Sequence, residues 1–129
     1  MRIATWNINS IRLRINQVLK FLKSQNIDIL CLQETKTPNE FFPSKEFENL
    51  GYINQYFRGE KSYNGVAILS KVKFIDKSHV NWCNKDDTRH IYVELKNKIQ
   101  LHNFYIPAGG DEPNVSINPK FEHKISFLN

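Results

Sequence analysis

The sequence has 129 residues, 40% of them hydrophobic and 12% aromatic, with nine Phe; this describes one globular domain and excludes a disordered tail. A formal net charge of +5 favours an anionic partner such as nucleic acid or phospholipid headgroups. No stretch has the apolar length of a signal peptide or a membrane span, and Cys31 and Cys83 fit no metal-spaced or disulfide pattern, so a cytoplasmic protein with reduced thiols is expected.

Arg2 to Ile8 mixes apolar residues, Thr and Trp in strand fashion and ends at Asn9-Ser10, a turn and helix cap. Ile11, Ile15, Val18, Leu19 and Leu22 then recur at helical spacing, with Arg12, Arg14, Lys20 and Lys23 between them. No acidic residue precedes Asp28, so this first lobe is basic. The apolar run from Ile27 to Leu32 predicts a strand buried on both faces. Strand, helix and strand together predict a βαβ unit, and hence an α/β fold.

A short helix is expected within Phe41 to Leu50, stopped by Gly51, and strands over Tyr52 to Phe57 and Gly65 to Ser70. Lys73 to Val80, His90 to Lys96 and Gln100 to Ile106 follow as hairpin-linked strands, which makes the sheet mixed. Pro107 to Pro113 is a loop. Asn118-Pro119 opens a last helical pattern through Phe121, Ile125 and Leu128 that meets no stop signal, so the chain reads as cut rather than finished.

Ligands of open α/β sheets bind outside the carboxyl ends of the strands. Asn7, Glu34 and Tyr105 occupy such ends. Each has an ordinary use: a cap or turn Asn, a solvated loop Glu, a core Tyr with its hydroxyl at the rim. Together they are components of phosphoryl transfer. One carboxylate beside an amide suits Mg²⁺, which keeps several waters and takes its remaining oxygens from a phosphate, and a phenol can donate to that phosphate.

Ile3 to Ser10 (IATWNINS), Leu30 to Lys36 (LCLQETK), Gly65 to Ser70 (GVAILS) and Asn103 to Pro107 (NFYIP) resemble, in order and rough spacing, the amino-terminal half of the bacterial exonuclease III family, within the endonuclease/exonuclease/phosphatase superfamily. The likeness runs along essentially the whole chain. It implies a DNA-repair phosphodiesterase that cuts beside abasic sites and degrades duplex DNA from its 3′ ends with Mg²⁺ or Mn²⁺. It further implies that Glu34 ligates the metal, that Asn7 supports the metal site and catalysis, and that Tyr105 addresses the scissile phosphate. Arg89, Lys61, Tyr63 and Lys36 stand where the family contacts DNA.

The family's Asp-His pair and further Asp and Asn residues have no counterparts here. Gly110-Asp111-Glu112-Pro113-Asn114 superficially suggests one of those motifs but follows a Pro/Gly loop instead of a buried strand, and His79, His90, His102 and His123 are scattered. The resemblance therefore implies a single partial domain over residues 1–129, the amino-terminal lobe of a catalytic domain. It would form one half of a four-layer α/β sandwich, as one mixed sheet with helices on its outer face. The sheet face meant for the other half would be wet, a serious loss at roughly 25 cal/mol per Å², so the chain is expected to self-associate or to need a carboxyl-terminal half. The leading expectation is a Mg²⁺-dependent exonuclease and abasic-site endonuclease, weakly active or inactive alone. The alternative is a catalytically dead remnant that at most binds nucleic acid, and a phosphatase or lipid phosphodiesterase of the same superfamily is disfavoured.

Overall fold

Helix α1 (Ile11–Gln25) forms because Ile11, Val18 and Leu22 make one buried stripe while the basic side chains between them face water. The Ser10 side chain accepts from the Leu13 amide at its start, and Asn26 takes the left-handed conformation at its end. The computed structural model describes residues 1–129. Strands β1 (Ile3–Asn7) and β2 (Ile29–Gln33) flank α1 and pair in parallel, with Asn7 opposite Gln33. β2 starts two residues later than the apolar run suggests. Ile27 and Asp28 are occupied differently: the Ile27 carbonyl accepts the Tyr52 hydroxyl at 2.6 Å, and the Asp28 carboxylate accepts the Arg2 amide at 2.6 Å.

Past β2 the expected single helix is divided into a 3-10 turn (Asn39–Phe41) and α2 (Ser44–Glu48). Pro43 is the cause, since it holds Phe42 extended and supplies no amide to an incoming helix. β3 (Asn54–Arg58) and β4 (Val66–Ser70) then complete a four-stranded mixed sheet in the order β1-β2-β4-β3, with β4 antiparallel to both neighbours.

The remaining strands, β5 (Phe74–Ser78), β6 (His90–Leu95) and β7 (Gln100–Phe104), do not extend that sheet but form a second, antiparallel one. The class is mixed α/β as expected, whereas the single sheet is corrected to two. The chain changes sheet at Ser70, whose hydroxyl both accepts from the Val72 amide and donates to the Val72 carbonyl at 2.8 Å, closing a tight corner.

Alternation along β2 and β4 explains the stacking. Leu30, Leu32, Ala67 and Leu69 pack on the helical side with Val18, Leu22, Phe47 and Tyr52. Ile29, Cys31, Val66 and Ile68 point the other way and meet Ile91, Val93 and Leu95 of β6. The inner face expected to be wet is thus covered by the chain's own second sheet, a correction that removes the stated reason for self-association through that face. Helix α3 (Pro119–Leu128) reaches the far side of the second sheet, where Phe127 contacts Trp82 at 5.4 Å. No helix is long and apolar enough to cross a membrane.

Candidate active site

The loop after β2 is fixed by main-chain bonds on both sides. Ser10 N donates to Glu34 O at 2.8 Å and Ile11 N to Thr35 O at 3.1 Å; on the other flank Thr35 N donates to Gly65 O at 3.2 Å and Lys36 N to Asn64 O at 2.9 Å. Gly65 N passes the connection to Thr88 O at 3.2 Å, and Tyr105 N donates to Arg89 O at 2.7 Å. The carboxyl ends of β1, β2 and β7 and the loops before β4 and β6 are thereby tied into one rim.

Two glycines permit this closeness. A Cβ on Gly65, which has φ +94°, would lie 2.0 Å from Thr35 Oγ1, and one on Gly59 would lie 2.1 Å from Thr37 O. Glu34 (φ +56°) and Lys36 (φ +52°) are held in the left-handed region, an unusual conformation for long side chains and one that clusters at functional sites.

On this rim the Tyr105 hydroxyl donates to Glu34 Oε1 at 2.5 Å, so the pair expected from the strand ends meets across the two sheets. Arg89 grips Tyr105 from behind: its guanidinium carbon lies 4.8 Å from the ring centroid, Nη1 donates to the Tyr105 carbonyl at 3.2 Å, and Nε donates to Asp87 Oδ2 at 2.8 Å. Lys36 Nζ stands 4.0 Å from Glu34 Oε2 and donates to Asn9 Oδ1 at 2.7 Å. Burial, then the Glu34 hydrogen bond and charge, push the Tyr105 phenol up to about 12, against a lowering by Arg89. At neutral pH Tyr105 is therefore a proton donor and not a phenolate nucleophile.

Asn7 ends β1 on the same face as Thr5 and Gln33, because Ala4 and Trp6 point to the helical core. Lys61 and Tyr63 stand exposed in the turn before Asn64, next to the rim and outside the Glu34 cluster. The Gly110–Asn114 stretch is a loop closed by Asn118, whose Nδ2 donates to the Gly109 and Glu112 carbonyls at 3.0 and 2.7 Å. His90 and His102 bond each other on the outer face of the second sheet, away from Glu34. Sequence reasoning passed over Asn103, Gln33 and Asp87; the alternation of β7, which sends Asn103 inward, was the available signal for the first.

As donors for a hard cation, the rim offers the Glu34 carboxylate, its side chain 20% exposed, with Asn7 at the neighbouring strand end. No group of three or more His, Cys, Asp or Glu residues is assembled. That set fits the small share of ligands Mg²⁺ takes from proteins and does not fit a zinc site, which needs three or four closely placed side chains.

Comparison with known proteins bears on the family and the fold. The chain is 38% identical over 132 residues to exodeoxyribonuclease III of Haemophilus influenzae, across 98% of this chain and 48% of that protein. Recombination repair protein 1 of Drosophila melanogaster is 30% identical across 98% of this chain and 19% of its own length. An AP endonuclease from Archaeoglobus fulgidus superposes with a TM-score of 0.86 at 38% identity, covering 99% of this chain and 48% of that one. The 3′-5′ exonuclease NExo from Neisseria meningitidis does so with a TM-score of 0.87 at 30% identity over the same shares. The chain spans under half the length of these curated relatives. Its residues 4–127 match the family described as Endonuclease/Exonuclease/phosphatase, and with sequence and fold in agreement along nearly the whole chain, it belongs to that family.

Proposed function

We propose that this chain is the amino-terminal lobe of an exonuclease III-like DNA-repair phosphodiesterase, a Mg²⁺- or Mn²⁺-dependent 3′-5′ exonuclease and abasic-site endonuclease on duplex DNA. The observation that carries this is the 2.5 Å contact between the Tyr105 hydroxyl and Glu34, made at a rim where two sheets end. Glu34 and Asn7 would hold the cation, which supplies a Lewis acid for a phosphoryl oxygen when bound. Tyr105, protonated across the physiological range, would turn its one O–H from Glu34 to the charge that develops on the phosphate once the carboxylate holds the cation. Arg89 fixes the Tyr105 ring and adds positive charge behind it, and Lys36 does the same for Glu34. Lys61 and Tyr63, free in their turn, are suited to touch the DNA backbone. A cytoplasmic location accords with the two free cysteines.

The relatives support the class of reaction: their names state an exodeoxyribonuclease and an AP endonuclease. A second reading, a nucleic-acid-binding remnant without turnover, is favoured by the rim's assembling no group of three His, Cys, Asp or Glu side chains around Glu34. Duplex DNA carrying an abasic site separates the two. Incubated with Mg²⁺ and an equal amount of a matching carboxyl-terminal half, wild type should cleave and Glu34→Gln should not. DNA retention with no cleavage in either would establish the second reading.

A further inference from the structure

Glu34 and Tyr105 belong to different sheets, so their contact depends on how the sheets are aligned. The apolar packing between them, Ile29, Cys31, Val66 and Ile68 against Ile91, Val93 and Leu95, is non-directional and does not by itself fix a register. Within that interface lies one polar side chain from β7, Asn103, only 3% exposed. Its Nδ2 donates both protons, to Leu32 O and to Ala67 O at 2.9 Å, on adjacent strands of the opposite sheet. Its Oδ1 accepts from Gln33 Nε2 at 2.7 Å, and the second Gln33 proton goes to Thr5 Oγ1 at 2.9 Å.

The network admits one orientation of each amide. Turning Asn103 over would set its oxygen against two carbonyl oxygens, and turning Gln33 over would set its oxygen against Asn103 Oδ1. β1, β2, β4 and β7 are therefore pinned at one point by directional bonds. That point lies one residue from Glu34 along β2 and two residues from Tyr105 along β7.

We propose that Asn103, buttressed by Gln33 and Thr5, is a positioning residue that sets the Tyr105 hydroxyl on the Glu34 carboxylate. It touches neither the metal ligand nor the phenol and acts through the strand ends that carry them. A displacement at this point shifts the end of β7 that carries Tyr105 against the end of β2 that carries Glu34, and at the rim it is opposed by the bonds of the Gly65 amide to Thr88, the neighbour of Arg89. The catalytic importance of the alignment rests on the function proposed above; the alignment itself does not.

The test labels the tyrosine ring carbon Cζ with ¹³C and follows the phenol titrations of the full chain by NMR, with Tyr105→Phe assigning the Tyr105 signal. Asn103→Leu, close in shape to Asn, should lower the Tyr105 midpoint by about one pH unit or more as the hydroxyl loses Glu34, and leave the other tyrosine curves in place. Because that variant leaves two carbonyls dry, Gln33→Met is the second test: it keeps both Asn103 carbonyl bonds and should move the same curve in the same direction by less. Should Asn103→Leu not fold, Gln33→Met decides. A merely structural role lowers the melting temperature and leaves the Tyr105 curve where it is, and that result in a folded variant overturns the proposal. In the assay with abasic duplex, both variants should lower kcat by about tenfold or more with little change in KM. An inactive wild type would refute the proposed function while the phenol titration still judged the positioning role.

Discussion

The rim around Glu34 and the outer face of the three-stranded sheet both gather polar side chains, and they do so on opposite plans. On the outer face Val80 N donates to His90 Nδ1 at 3.0 Å, so His90 Nε2 donates to His102 Nδ1 at 3.0 Å and His102 Nε2 to Gln100 Oε1 at 3.4 Å. Trp82 meets His90 edge-on at 4.9 Å and Phe104 stacks on it at 4.6 Å. Burial, then the neighbouring His102, His79 and Arg58, push the His90 pKa down to about 4. His90 is a neutral ring used as packing. The rim instead keeps Glu34, Lys36, Arg89 and Asp87 together with partial access to solvent. Two bonded histidines stacked among aromatic rings on the outer sheet face are structural, whereas a single carboxylate just past a strand's carboxyl end has room for a ligand. Position in the sheet, more than residue type, separates the two.

The contrast can be broken first at Glu34. Glu34→Gln keeps the shape and the Tyr105 contact and removes the charge; cleavage of abasic duplex by the reassembled protein should fall on the order of a thousandfold, as measured by initial rates at saturating DNA. A His102→Gln variant should stay within about threefold of wild type in the same assay, since nothing at the rim depends on that face.

Gly65→Ala attacks the support of the rim. With φ +94° and a new Cβ 2.0 Å from Thr35 Oγ1, it should cost about 3 kcal/mol in urea unfolding, well above a simple loss of glycine freedom. Tyr105→Phe is milder: it should lower kcat by about 10- to 100-fold and change stability by less than about 1.5 kcal/mol, because the ring and its stacking on Arg89 remain.

Acid distinguishes the faces in another way. His90 has a folded pKa near 4 against an ordinary 6.5, so between those values the unfolded chain binds the extra proton and stability is lost as pH falls. Urea unfolding at a series of pH values should show that decline, and His90→Phe should start less stable at pH 7 but flatten the slope. The smallest effect is expected at Lys61, exposed in its turn. Lys61→Ala should weaken DNA binding by about two- to fivefold at low salt and reduce the salt dependence, without altering sequence preference.

Much of this organisation was legible in the chain. The stripe of Ile11, Val18 and Leu22 declared α1, and Asn7, Glu34 and Tyr105 could be assigned to strand ends from the apolar runs that precede them. The division into two sheets was not legible, because β4 and β5 are both strand-like and the switch depends on a local Ser70 corner. Pro43 is a signal in the chain that the helix after Phe41 is interrupted, and the expectation of one helix from Phe41 to Leu50 took no account of it. Asn103 was missed for a different reason: the alternation of β7 sets it on the face of Leu101, but an amide there gives no apolar signal that the face is buried.

The proposed function stands or falls with a divalent cation held at the rim through Glu34. Thermal melting with increasing Mg²⁺ measures this without requiring turnover, since a ligand that binds the folded state raises stability as RT ln(1 + [L]/Kd). The melting temperature should climb with Mg²⁺ for wild type and stay level for Glu34→Gln. Equal curves for the two proteins would contradict the proposed function.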